Sequence, residues 1–230
     1  DTTTNVVFCV LYDRSERRRV REYRFEDSPI GNSGVAQGGG HFLGLNYGRM
    51  DRLRKVTGYA GARDWTNNKS APADDGIFKV NVNTGEKELL VSFATLANHV
   101  RQWRPDVDTI PLFINHTLWS RDDQRILFYL RGHWDNEKPR LNELFTIHAD
   151  GTHLTRHETF LGGHPEWGTH HKIISTYDDK QVIYDADAKE ILQELGNRHV
   201  FPNPGGDIAL SPDAHWFVNG FNRKGENHYV

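Results

Sequence analysis

"HTLWSRDDQRILFYL", residues 116–130, sets a polar turn between two apolar segments. The plan recurs in "HPEWGTHHKIISTY" (residues 164–177) and in "DIALSPDAHWFVNGF" (residues 207–221). The turns begin at Ser120, Gly168 and Ser211, 48 and 43 residues apart. One four-stranded propeller blade takes roughly 40 to 50 residues, so the interval points to repeated blades.

The second half of each unit repeats as well. "GIFKVNVNTGEKELLVSF" (residues 76–93), "ELFTIHADGTHLTRHE" (143–158) and "QVIYDADAKEILQEL" (181–195) each read as strand, tight turn, strand. Asn-Thr-Gly and Ala-Asp-Gly are hairpin chemistry, because glycine takes a positive φ without steric cost. Alternating Ile77, Val80 and Val82, or Val182 and Tyr184, suit half-buried antiparallel strands. Helical signal is sparse; "SFATLANHVRQW" (92–103) offers a turn or two. An earlier unit pairs "VAQGGGHFLGLNYGRM" (35–50) with residues 76–93, leaving 51–75 as an insertion on one face, often the working face of a repeat fold. Before it, residues 5–27 read as an outer hairpin.

The chain is therefore expected to be all-β, a β-propeller of four-stranded blades near 35–93, 110–160 and 161–195, with a last blade from 205. A ring of seven or eight blades needs roughly 300 residues or more. The 230 residues thus read as one propeller domain forming an incomplete piece of a seven-bladed ring.

Composition excludes several classes. With 37% apolar and 26% charged residues the chain reads as an ordinary globular protein. A net charge of -3 supplies no field for nucleic acid, and the basic run at 17–24 is offset by neighbouring acids. No apolar run reaches the roughly 18 to 20 residues of a membrane span. Cys9 is the only cysteine and sits in an apolar strand, so it reads as a small buried thiol. The first residue is Asp1, and the compartment, periplasmic or cytoplasmic, stays open.

Of the 13 histidines, His148, His153 and His157 fall on an outer hairpin and read as exposed or half-packed, and His215 and His228 as surface or strand residues. His116 and His164 differ: each stands three residues before a Trp at one equivalent blade position, with Asp207 at the same place in the next unit. Inner strands line a propeller channel, so such side chains are candidates for a divalent metal site. The alternative is that they hydrogen-bond the turns between blades. Trp119, Trp167, Phe128 and Phe217 read as packing between blades. In the insertion, Arg52, Arg54 and Arg63 are candidates for binding acidic sugars, since Arg forks a carboxylate; a charged solvated loop is the alternative.

"NHTLWSRDDQRILF" and "GGHPEWGTHHKIIS" resemble the inner-strand motifs of oligogalacturonate lyase-like, TolB-like propellers of polysaccharide-degrading bacteria. "LNYGRMDRLR" followed by "APADDGIFKVNVNTGEKELL" is similar to the segment just upstream in such relatives. The resemblance implies a lyase that cleaves uronate-containing oligosaccharides by β-elimination, with Mn(II) held by His and Gln side chains. His116 and His164 match the metal positions, with Asp207 as a third candidate; the glutamine has no counterpart. For the base, Arg49, His99 and Tyr59 are candidates by chemistry alone. A non-catalytic propeller that binds a glycan or a protein is the competing reading.

Overall fold

A computed structural model describes residues 3–134 and 139–230. Residues 135–138, within the span read as the second blade, and the opening Asp1 lie outside the described residues. The all-β expectation holds. Strands β1 (Cys9–Asp13) and β2 (Arg18–Tyr23) form a hairpin. β3 (Gly31–Val35), β4 (His41–Leu45), β5 (Gly76–Asn81) and β6 (Lys87–Ser92) form an antiparallel four-stranded sheet in chain order. β7 (Phe113–Trp119), β8 (Arg125–Gly132), β9 (Leu141–His148) and β10 (Thr155–His157) form a second. β11 (Gly162–Trp167), β12 (Lys172–Tyr177), β13 (Lys180–Asp185) and β14 (Glu190–Gly196) form a third. β15 (Ile208–Leu210), β16 (Phe217–Arg223) and β17 (Glu226–Tyr229) make a three-stranded sheet. Antiparallel four-stranded meanders repeated in this way are propeller blades.

Side-chain hydrogen bonds shape the recurring turns. Ser120 Oγ donates to Asp122 Oδ1 (2.6 Å) and accepts from the Arg125 amide (2.8 Å). Ser211 repeats this with Asp213 (2.5 Å) and the Trp216 amide (3.0 Å). The turns carry a left-handed residue at Asp123 (φ 58°) and Ala214 (φ 59°). The outer hairpins use a different device. Asn81 Oδ1 and Asp185 Oδ1 each accept from the amides two and three residues on, an Asx turn, and the fifth residue is left-handed: Gly85 at φ 82° and Lys189 at φ 58°.

The chain divides into two compact units: Asp1–Thr117 with Phe128–Asn142, and Leu118–Leu127 with Glu143–Val230. The boundary runs through the second blade. Among the described residues both α-helices, α1 (Tyr47–Leu53) and α2 (Phe93–Val100), belong to the first unit. Asn46 and Ser92 cap them, each side chain accepting the amide three residues on. Phe93, Leu96, Ala97 and Val100 give α2 one buried stripe. Among the described residues no helix is long and apolar enough to cross a membrane.

The residues read as an insertion are pinned by a buried polar knot. Asn46 Nδ2 donates to Asp64 Oδ1 and Asp75 Oδ2, both at 2.9 Å, and the Thr66 hydroxyl lies 2.9 Å from each carboxylate. Burial pushes the Asp75 carboxyl up from its usual range. In the same unit Cys9 is buried with its thiol toward Ile30 O (3.6 Å), and desolvation raises it to about 11. The buried-thiol reading is correct.

The second unit corrects the reading of His157, which is buried rather than exposed or half-packed. Nε2 meets Thr146 Oγ1 at 2.9 Å and Nδ1 meets the Tyr184 hydroxyl at 3.0 Å. Both ring nitrogens have partners, so a short outer strand carries a polar side chain into the core at little cost. Desolvation, with the Lys189 charge adding to it, lowers the imidazole to about 4. A neutral buried His stabilises the fold fully above its unfolded value of about 6.5, and this contribution is lost as pH falls toward 4. Between pH 7.5 and 4.5 the wild type is expected to lose about 2.5 kcal/mol more than His157→Gln in urea unfolding. Equal losses would show that another group titrates.

Candidate functional site

In the second unit two glycine pairs bring backbone segments into close contact. Gly163 is left-handed (φ 69°), and a Cβ on it would lie 2.7 Å from Gly205 Cα. A Cβ on Gly206 would stand 1.7 Å from Gly220 O. Only glycine allows this approach. It sets His164 of β11 beside Asp207 as partners in a parallel bridge.

Their side chains meet in solvent. His164 Nδ1 lies 3.3 Å from Asp207 Oδ1 and 3.3 Å from Gly205 O, with the side chains 51% and 84% exposed. A carbonyl oxygen only accepts, so Nδ1 carries the proton and Nε2 is the basic nitrogen. The pair opens on a pocket of about 240 Å³ lined by Asn203, Asn222, Asn227, His228 and Tyr229 among others. His228 stacks on Phe221 at 5.2 Å, and Asn222 Nδ2 donates to Asn227 Oδ1 at 3.2 Å. Short amides, a carboxylate, imidazoles and an aromatic edge are suited to hydroxyl-rich ligands.

The sequence missed His228 and the three asparagines. The doublets Gly162-Gly163 before His164 and Gly205-Gly206 before Asp207 were the available signal, because doubled glycine marks close backbone approach.

The His-x-x-Trp echo splits in two. Both indoles are buried, and Trp167 Nε1 donates to Leu118 O at 3.0 Å. The histidines differ: His116, in the first unit, is left-handed (φ 54°) and packs edge-on to Tyr129 at 5.8 Å. In the second unit the gathered donors are His164, Asp207 and Gly205 O. Among the described residues no three His, Cys, Asp or Glu side chains cluster. Mn(II) takes about six ligands, and the side chains gathered here offer it one imidazole and one carboxylate.

The remaining candidates occupy separate settings in the first unit. Arg49 is 1% exposed and donates to the carbonyls of Leu112, Thr66, Lys69 and Ser70. Desolvation lowers it to about 10, and its donors are committed to holding the insertion, which is a structural task. His99 lies on the exposed side of α2. Tyr59 stacks on Tyr47 with centroids 4.3 Å apart. Arg52 pairs with Asp64 at 2.9 Å, Arg63 donates to Asp27 O at 3.2 Å, and the Arg54 guanidinium lies 4.8 Å from the centre of the Trp134 ring.

No family profile matches the sequence, and no curated protein matches it. Among solved structures, hydrazine synthase of Kuenenia stuttgartiensis is similar with a TM-score of 0.55 and 10% identity, over 97% of this chain and 64% of that one. A putative TolB from Agrobacterium tumefaciens is similar at a TM-score of 0.39 and 14% identity, over 80% of this chain and 54% of that one. This chain therefore spans less than two thirds of either protein. At such identities the hydrazine synthase likeness concerns fold alone.

Proposed function

We propose that this chain is a saccharide-binding part of a β-propeller, with the His164–Asp207 pocket as its site. The observation that carries the reading is the exposed imidazole–carboxylate pair, 3.3 Å apart, in a pocket lined by three asparagines. Asparagine and aspartate match vicinal hydroxyls, and Tyr229 offers an apolar edge for a sugar ring.

The finer reading is β-elimination from a uronate. Asp207 orients His164 through Nδ1–H, which makes Nε2 a general base for the proton α to the uronate carboxylate. The C–H electrons form the new double bond as the bond to the β-oxygen breaks, and the leaving oxygen takes up a proton from water. His228 offers a ring N–H toward the carboxylate. The competing reading keeps the pocket and drops the chemistry.

Calorimetry with an oligouronate and a neutral oligosaccharide, together with the absorbance of unsaturated product, tests both. Asp207→Asn and His164→Ala are expected to weaken uronate binding about tenfold, a loss of about 1.4 kcal/mol. Product formation that both variants abolish supports the lyase; binding without product leaves a non-catalytic module. A wild-type chain that binds neither saccharide defeats the proposal.

A further inference from the structure

His164 and Asp207 stand on two strands that run the same way, as their parallel bridge shows. The far ends of both strands are tied to one short segment. On β11, Trp167 lies three residues beyond His164, and its Nε1 donates to Leu118 O at 3.0 Å. β15 ends at Leu210, and the carbonyls of Ser211 and Pro212 just past it both accept from Arg121 Nη2, at 2.9 and 2.8 Å. Leu118 belongs to the end of β7, and Arg121 to the turn that follows. That turn is itself pinned, since Ser120 Oγ binds Asp122 and the Arg125 amide. All of these residues lie in the second unit.

β15 is short enough for such a tie to matter. It has three residues, pairs with β16 over three positions, and meets β11 through the isolated bridge of His164 and Asp207. The Asp207 side chain is 84% exposed, so the path of its strand, not packing around the carboxylate, decides where it stands. Arg121 is half-buried and also senses β11. Burial pushes the Glu166 carboxyl, one residue before Trp167, up from its usual range, and the Trp167 amide and the Arg121 charge draw it back. Hydrogen bonds from a charged donor are stronger than neutral ones, which suits a residue that bridges segments far apart in the chain. We propose that Arg121 is a positioning residue for the saccharide pocket: it straps the end of β15 to the segment that also anchors β11, and so keeps Asp207 against His164 Nδ1. His164 and Asp207 are the site on the saccharide reading, on which this role rests. Arg121 acts through Asp207: without the strap the carboxylate drifts from Nδ1, and the imidazole loses its fixed tautomer.

The test is nitrogen-15 NMR of the His164 imidazole at about pH 9, where a neutral ring prevails, together with calorimetry on an oligouronate. The wild type is expected to show the Nδ1-protonated tautomer. Arg121→Met should give a mixture of the two tautomers and weaken oligouronate binding about fivefold. Arg121→Lys keeps the charge and one nitrogen to serve both carbonyls, so it should recover most of both effects. His157→Gln, a buried change elsewhere in the second unit, controls for lost stability and should leave the His164 tautomer as in the wild type. Circular dichroism checks each fold; if Arg121→Met does not fold, Arg121→Gln carries the same expectation at smaller amplitude. A wild-type tautomer and affinity in Arg121→Met overturn the proposal. So do an equal change in His157→Gln, no recovery in Arg121→Lys, or a wild type already of mixed tautomer. A wild type that binds no saccharide defeats the ligand reading alone, and the tautomer measurement then decides on the strap.

Discussion

Arg49→Ala is expected to lower the unfolding free energy by about 4 kcal/mol, read from urea denaturation. The guanidinium serves the carbonyls of Leu112, Thr66, Lys69 and Ser70 from a buried position, and its Cζ lies 4.8 Å from the Phe93 ring centre. Alanine takes one donor from each of these carbonyls, although the Lys69 amide still serves Thr66 O and the Leu112 amide Ser70 O, and it opens a cavity at α1. Lysine keeps the charge but lacks the planar fork, so it should recover less than half of the loss. A change below about 1 kcal/mol in Arg49→Ala would mean that water replaces the guanidinium at no cost.

Trp167→Ala should be as damaging, about 4 kcal/mol. The indole is wholly buried in the second unit and donates to Leu118 O. Trp167→Phe separates packing from hydrogen bonding: it is expected to cost about 1 to 2 kcal/mol, the lost bond plus a smaller ring. If Trp167→Ala and Trp167→Phe unfold at the same urea concentration, the hydrogen bond outweighs the packing.

Much of the blade architecture was legible because it rests on local chemistry. The Ser-x-Asp turns at Ser120 and Ser211 form their hydrogen bonds within five residues, and the Gly85 turn needs only one permissive residue. Where a side chain takes glycine's task, as Lys189 does at φ 58°, the signal fades although the turn persists. Candidate-site chemistry was less legible. His164 and Asp207 shared a motif position, but the pocket's His228 and Asn222 arrive on later strands, and no local pattern announces which strand faces which. Arg49 shows the opposite difficulty. Its sequence surroundings are charged and polar, while its setting depends on carbonyls as far along the chain as Leu112. The same holds for Arg131, which is buried beside a Trp134 ring that Arg54, far earlier in the chain, also approaches.

The way Arg49 holds the insertion also bears on how this protein can change. Its partners at Lys69 and Ser70 are main-chain oxygens, which any amino acid supplies. Side chains there can be exchanged in evolution or by design while the path of the segment is kept. Asn46, Thr66 and Asp75 have no such latitude, because their contacts run through side-chain atoms. The segment thus combines a few invariable anchors with rewritable stretches between them, so new recognition properties can arise there without renegotiating the fold.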